Sequence, residues 1–326
     1  MKRVFILGAG ASKAGGIPAL KDILSCLMQQ PKIAEFITKI FKADLHTTQE
    51  FLPGVDDLYS LIDFALYHDH HLGDFTQDDL RELRRELNLS ICRLFSQDSH
   101  KVNTSGAYEV YRKFAEDLVY EEDAVLTLNW DTALDKVLSK ELGWQLNYGI
   151  EKKEENSFPL LKLHGSINWL WCENCSQFSI KDDSCQQEKM ACPTCQKTNL
   201  SPLIVGPTVL PRHKDTPLEN GWMTAMRYLI SAERIYFIGL SLDAIDLALF
   251  ELVKRGTMLN SHNPQIFVIG HGLENEEFSS GVDQFFARNQ TVQRYIQLFG
   301  PQTAFYMYGF AGPIPQDEEY VQPYSH

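Results

Sequence analysis

Along the chain, short and almost unbroken apolar runs are separated by longer stretches of helical spacing. The runs are VFILGAG (4–10), AVLTLNWD (124–131), PLLKLHG (159–165), IYFIGLS (235–241) and IFVIGHG (266–272), with a weaker AFYMYGF (304–310). None alternates strictly between apolar and polar positions. That is the pattern of strands covered on both faces of a parallel sheet. Most runs end in Gly, Asn, Asp, His or Ser. In open parallel sheets the ligand crevice lies beyond the carboxyl ends of the strands, so these endings are expected to converge there.

Between the first two runs lie more than a hundred residues with helical periodicity. Leu58, Leu61, Ile62 and Ala65 share one apolar face, and Leu80, Leu83, Leu87, Ile91 and Leu94 share another. This stretch, about 30–118, reads as a helical insertion packed beside the sheet. The expected fold is therefore α/β: a parallel sheet with a helical insertion. The main domain is expected over 1–311. The polar, proline-bearing segment GPIPQDEEYVQPYSH (312–326) reads as a tail. No internal repeat and no low-complexity linker interrupts this organisation.

Composition narrows the function classes. The chain has 326 residues, 44% hydrophobic and 22% charged, as in an ordinary globular protein. No stretch reaches the roughly 18 consecutive apolar residues of a membrane span. Met1-Lys2-Arg3-Val4 leads straight into the first apolar run, which does not resemble a cleavable signal. A cytoplasmic protein without membrane contact is expected. With 30 basic and 43 acidic residues the formal charge is −13, which argues against general nucleic-acid binding.

The sharpest chemical signal is cysteine spacing. Cys172-Glu-Asn-Cys175 and Cys192-Pro-Thr-Cys195 are two CxxC pairs separated by 16 intervening residues. Each pair aims two thiolates at one ion, and two pairs complete a closed tetrahedral zinc site of structural type. Cys185 is a spare within the loop, while Cys26 and Cys92 fall on helical faces and read as core.

Gly8-Ala9-Gly10-Ala11-Ser12 is a bare turn after a strand, followed by Gly15-Gly16. It has two glycines of GxGxxG, but Lys13 stands at the third position and no GK[ST] closes a Walker loop. What remains is a strand, a tight turn and a helix N-terminus. That arrangement favours an anion, and an ordinary strand-to-helix turn would also use such glycines. Asn129 and Asp131 end one run, and His164 and Ser166 end another. Each has a bland reading as a helix cap or a packed histidine. His68-Asp69-His70-His71 reads as a solvated turn rather than a metal site. Asp246 and Asp243 read as helix caps.

Taken in order, these motifs resemble the sirtuin family. GAGAS with GGIP, LNWD, LHGS, paired CxxC and IGLS (238–241) match the family's motif order from residue 4 to about 272. The resemblance implies a Rossmann-like NAD-binding domain, a parallel sheet with the helical insertion and a small zinc-ribbon module at about 170–200. By it, Gly8, Ala9, Gly10 and Ser12 would approach the NAD phosphates, and Gly239 and Ser241 would line the adenosine side. Asn129 and Asp131 would sit by the nicotinamide and its ribose, and His164 would be the catalytic base. The family's protein deacylases follow GIP with Asp-Phe-Arg, where this chain has Ala19-Leu20-Lys21-Asp22. Their Phe-Gly-Glu segment is replaced here by Pro202-Leu203-Ile204-Val205-Gly206-Pro207-Thr208. His271 stands where sirtuins usually carry Asn. The NAD half of the site is kept and the peptide half is lost, a pattern that looks like the sirtuin-like NAD hydrolases of bacterial antiphage defence.

Three functions follow as expectations. The first is an NAD hydrolase that releases nicotinamide and ADP-ribose as a defence effector. The second is an NAD-dependent protein deacylase, and the third a catalytically silent NAD- or ADP-ribose-binding module. Structural Zn2+ is the expected metal and NAD the expected substrate. Restraint is expected from a homo-oligomer or from a separate regulatory or defence chain.

Overall fold

The computed structural model describes residues 1–14, 16–17, 20–44, 46–48, 51–102, 107–150, 156–172, 174–181, 191–197, 200–208, 216–242, 244–270, 289–306 and 308–322. Gly15, Cys185, Asp243, His271 and the last four residues of the expected tail lie outside them.

Seven strands form one all-parallel sheet: β1 (Arg3–Leu7), β2 (Ala124–Thr127), β3 (Leu146–Asn147), β4 (Phe158–Lys162), β8 (Arg234–Ile238), β9 (Gln265–Ile269) and β10 (Ala304–Tyr306). Their spatial order is β10-β9-β8-β1-β2-β4-β3. The chain winds outward from β1 on one side, then returns to the other side through β8. The winding direction therefore reverses between β1 and β8, the position at which open α/β sheets hold ligands.

The absence of alternation in the sequence has a direct cause. Phe5, Leu7, Val125, Leu160, Tyr236, Ile238, Phe267 and Ile269 enter one core, while Val4, Ile6, Ala124, Leu126, Leu161, Ile235, Phe237 and Val268 enter the other. Both faces of the sheet are apolar because both are covered. Helices α8 (Leu218–Ser231), α9 (Leu247–Leu259) and α10 (Gln290–Phe299) cover the second face with Trp222, Leu229, Leu252, Val253, Tyr295 and Phe299.

The first face is covered by the insertion. Its helices include α4 (Val55–Tyr67), α5 (Gln77–Val102) and α6 (Ala107–Glu116). Leu58, Ile62 and Ala65 are buried, as are Leu80, Leu83, Leu87 and Ile91, whereas Leu61 and Leu94 are partly buried against the same core. Cys92 is buried as expected, and Cys26 is half-buried.

Strands β5 (Gly165–Cys172), β6 (Phe178–Ile180) and β7 (Leu200–Ile204) form a separate antiparallel sheet in the order β6-β5-β7. This is the small ribbon module. The run expected as a strand at 304–310 is a strand only over Ala304–Tyr306. Residues 312–322, expected as a tail, are docked instead. Phe305 and Val321 exchange backbone hydrogen bonds of 2.9 and 2.8 Å, Tyr320 packs edge-on to Phe267, and Arg234 grips Asp317 through two 2.8 Å bonds. The segment's few aromatic and acidic residues find partners on the sheet, so its polar composition does not leave it loose.

Candidate functional site

The strand ends are flush. Leu7 pairs with Thr127 and Ile238, Thr127 with Lys162, and Ile238 with Ile269. The ladder continues one residue further, with Gly8 N–H donating to the Ile238 carbonyl at 2.9 Å and Leu163 N–H to the Thr127 carbonyl at 2.9 Å. The segments after β1, β2, β4 and β8 therefore emerge from one edge. Asn129 and His164 each lie two residues beyond the paired Thr127 and Lys162, on strands about 4.8 Å apart.

The glycine turn is bare because backbone meets backbone. Gly10 N–H donates to the Gly239 carbonyl at 2.8 Å. A Cβ on Gly8 would lie 2.6 Å from that carbonyl oxygen, and one on Gly10 would lie 2.7 Å from the Gly239 Cα. Gly239, at φ +62°, would put its own Cβ 2.2 Å from the Ala11 nitrogen. Three glycines from β1 and β8 thus close the switch point on each other. Ala9 is exposed above them, at the start of the short helix α1 (Ala9–Ala14), and Ser241 is half-buried beyond Gly239.

Ser12 points inward. It is 5% exposed, its Oγ donates to Asp131 Oδ2 at 2.7 Å, and the Tyr111 hydroxyl lies 3.0 Å away. Asp131 Oδ1 accepts the Ala133 N–H at 3.0 Å, at the first residue of the helix α7 (Ala133–Lys136). Asn129 Nδ2 donates to the Gly8 carbonyl at 2.8 Å, and its backbone N–H donates to Thr127 Oγ1 at 3.0 Å. The LNWD loop is thereby tied to the glycine turn by two side chains, Asn129 and Asp131. Burial pushes the Tyr111 phenol well above its ordinary pKa, and the Asp131 carboxylate adds to this, so the phenol remains a proton donor.

Beneath the loop lies a charged group that sequence reading passed over. Lys162, 2% exposed, donates to the Asp131 carbonyl and, at 3.1 Å, to Asp135 Oδ2. Asp135 Oδ1 also accepts the Tyr148 hydroxyl at 2.9 Å. A lysine inside the apolar run PLLKLHG was the available signal, because an interior cation requires a buried partner. Tyr111 had no such signal: it reaches the site from the insertion.

His164 is half-buried, with its ring 6.3 Å from that of Trp222 at a 29° interplanar angle. Its carbonyl accepts the Val205 N–H at 2.9 Å. Val205 in turn accepts the Trp130 indole N–H at 3.1 Å, and the Trp130 carbonyl accepts Ser166 Oγ at 3.1 Å. Ser166 is fully buried and braces this junction. Gly165, at φ +79°, makes the turn that starts β5; a Cβ there would lie 2.0 Å from the Leu203 carbonyl oxygen.

The same ribbon carries the cysteines at its far end. The Sγ atoms of Cys172, Cys175, Cys192 and Cys195 all lie within 4.8 Å of one another, with 3.7 Å between Cys172 and Cys195 and 3.5 Å between Cys175 and Cys192. A tetrahedral zinc with Zn–S near 2.3 Å requires sulfurs about 3.8 Å apart. The two knuckles repeat one backbone scheme. Cys172 N–H bonds the Gln177 carbonyl and Ser176 N–H the Cys172 carbonyl; Cys192, Lys197 and Gln196 do the same. Ser176 and Gln196 both adopt left-handed φ, +55° and +60°. Backbone N–H groups, that of Cys195 first, lower the Cys192 thiol pKa to about 6, which favours the thiolate a metal needs. The four residues fit structural zinc, and the donor set leaves no open position.

His68, His70 and His71 are exposed at the end of α4, and among the described residues the four cysteines are the one cluster with metal-binding geometry. Asp246 stands at the N-terminal boundary of α9, but its side chain makes no capping hydrogen bond there. No described helix is long and apolar enough to cross a membrane.

No family model matches the sequence, and no curated protein matches it. Among solved structures the chain is similar to a mutant Sir2 homologue in complex with ADP-ribose, at 13% identity over 91% of this chain and 90% of that one, with a TM-score of 0.46. It is similar to a Sir2 homologue–NAD complex at 15% identity, covering 91% and 88%, with a TM-score of 0.44. It is also similar to Sir2Tm bound to a propionylated peptide at 14% identity, covering 83% and 81%, with a TM-score of 0.40.

Proposed function

We propose that the chain is an NAD hydrolase that cleaves the bond between nicotinamide and ribose. One observation carries this reading: the residues of GAGAS, LNWD, LHGS and IGLS, dispersed over more than 230 positions of sequence, come out at one edge of one sheet, around its reversal point. A dinucleotide lying across that edge would meet the α1 N-terminus and Ala9 with its pyrophosphate, and Gly239 and Ser241 with its adenosine half. Its nicotinamide ribose would meet Asn129, Asp131 and His164.

In the reaction the C1′–N bond breaks and its electron pair stays with nicotinamide, whose ring nitrogen loses its positive charge. A water oxygen bonds C1′, and the proton it sheds leaves through His164. The transition state is oxocarbenium-like, as in glycoside hydrolysis. Asn129 holds a ribose hydroxyl or the water, and His164 accepts the proton. A zinc held by Cys172, Cys175, Cys192 and Cys195 would shape the ribbon, and no step is routed through it. The replacement of the deacylase peptide segments favours water over an acyl-lysine oxygen as nucleophile. It also favours a defence effector that depletes cytoplasmic NAD under restraint by oligomerisation or a separate chain.

The test is nicotinamide release from NAD by purified protein, with and without an acetylated peptide. Release independent of peptide is expected. Release only with peptide would make the chain a deacylase, and binding without release would make it a sensing module.

A further inference from the structure

His164 stands between two ties. Two residues before it, Lys162 Nζ donates to the Asp131 carbonyl; two residues after it, Ser166 Oγ donates to the Trp130 carbonyl at 3.1 Å. The Ile167 N–H reaches the Trp130 carbonyl as well, at 3.0 Å. Consecutive carbonyls of the loop that carries Asn129 are thus held from the segment that carries His164. The β2–β4 register stops at Thr127 and Lys162, so beyond it the spacing of Asn129 and His164 depends on such ties. Both side-chain donors are buried, Lys162 at 2% exposure and Ser166 completely. A buried cation also needs an anion, and Asp135 Oδ2 supplies it at 3.1 Å while Oδ1 accepts the Tyr148 hydroxyl at 2.9 Å. Asp135 lies in α7, the helix that the loop enters. Lys162 therefore grips the loop at the Asp131 carbonyl and again one helical turn later.

From this the geometry points to Lys162 as a positioning residue of the site: its buried ammonium clamps the Asn129–Asp131 loop and the start of α7 to the strand that carries His164, and so fixes the spacing at which Asn129 and His164 meet one ribose. The inference rests on the hydrolase reading for its consequence in rate, but the clamp itself does not depend on it. Lys162 touches no substrate and acts through the Asp131 carbonyl. Without it the loop stays joined to β1, where Asn129 donates to the Gly8 carbonyl and Ser12 to Asp131, but loses its grip on β4. The glycine turn would still receive NAD. Proton transfer, which depends on spacing, would suffer.

The experiment uses the full chain. Lys162→Met keeps an unbranched stem and removes the donor. Combined with Asp135→Asn, which leaves an acceptor for Tyr148, it strands no buried charge. In the double variant, backbone amides over 128–133 should exchange with deuterium about tenfold faster or more, while those of β1 and β8 hold their rates. In the nicotinamide-release assay kcat should fall about tenfold or more, with KM for NAD within about twofold. The control is Asp123→Asn. It breaks another buried ion pair, Arg3–Asp123 at 2.6 Å, at the opposite edge of the sheet. It should lower the melting temperature and leave kcat within about twofold, which separates lost stability from lost positioning. If the double variant does not fold, Ser166→Ala replaces it, because it severs the second tie and leaves the Lys162–Asp135 pair untouched. Unchanged exchange over 128–133 in a folded variant, or unchanged kcat in an active one, overturns the inference. So does an equal fall of kcat in Asp123→Asn. If the unsubstituted protein releases no nicotinamide, the hydrolase reading fails alone, and exchange over 128–133 still decides the clamp.

Discussion

At the scale of single residues, the strand-end groups separate into those that face the crevice and those that hold it. Asn129→Ala and His164→Ala should leave the protein folded and most NAD affinity intact, with nicotinamide release down about 10²- to 10⁴-fold. Asn129→Ala also removes the donor to the Gly8 carbonyl, which should cost about 1 kcal/mol of stability. Calorimetric NAD titration beside the release assay distinguishes these effects. Gly10→Val is different. The family resemblance would bring Gly10 near the NAD phosphates, where a branched side chain would push the backbone away from a pyrophosphate. The Gly239 Cα, 2.7 Å from the new Cβ, makes the first damage internal. The variant should lose roughly 1–3 kcal/mol even without ligand, read as a lower melting temperature in the apo protein. An unchanged melting temperature with lost NAD binding would restore the phosphate explanation.

At the scale of elements, the ribbon joins two places that sequence reading treated separately. β5 leaves the His164–Gly165 turn and ends at Cys172, while β7 ends where Val205 N–H meets the His164 carbonyl. Purified protein should contain about one zinc per chain. Cys172→Ser or Cys195→Ser should lose metal and thermal stability together, and nicotinamide release should fall with them. Metal analysis of carefully prepared protein checks the first point, and absence of zinc there would remove the ribbon's metal. Much of this was legible in advance. CxxC spacing states its chemistry locally, and uninterrupted apolar runs state two-sided burial. Strand ends were less legible: AVLTLNWD reads as one run because Trp130 is buried, yet the strand stops at Thr127 and Trp130 serves the ribbon junction. Lys162 was legible as a charge inside an apolar run, but its partner Asp135, and Tyr111, were hidden because their roles depend on partners far away in sequence.

At the scale of the whole molecule, the polar composition of 312–322 was misleading, because these residues dock on the sheet. Removing the chain after Gly312 should strip Tyr320 from Phe267 and Asp317 from Arg234. A loss of about 1–3 kcal/mol is expected, chiefly from the uncovered aromatic surface, and is measurable by denaturant titration. Unaltered stability would mean that the docked segment contributes no net energy. The order of winding has a further consequence, for the time course of synthesis. β1 is the central strand, yet Leu7 pairs with Ile238, 231 residues later in the chain. At roughly 5–20 residues per second, about 12–46 s pass before β8 is translated. Through that interval Val4, Phe5, Ile6 and Leu7 have no neighbour on the β8 side. A nascent chain halted near residue 230 should therefore recruit chaperones or aggregate, while one released after β10 should not.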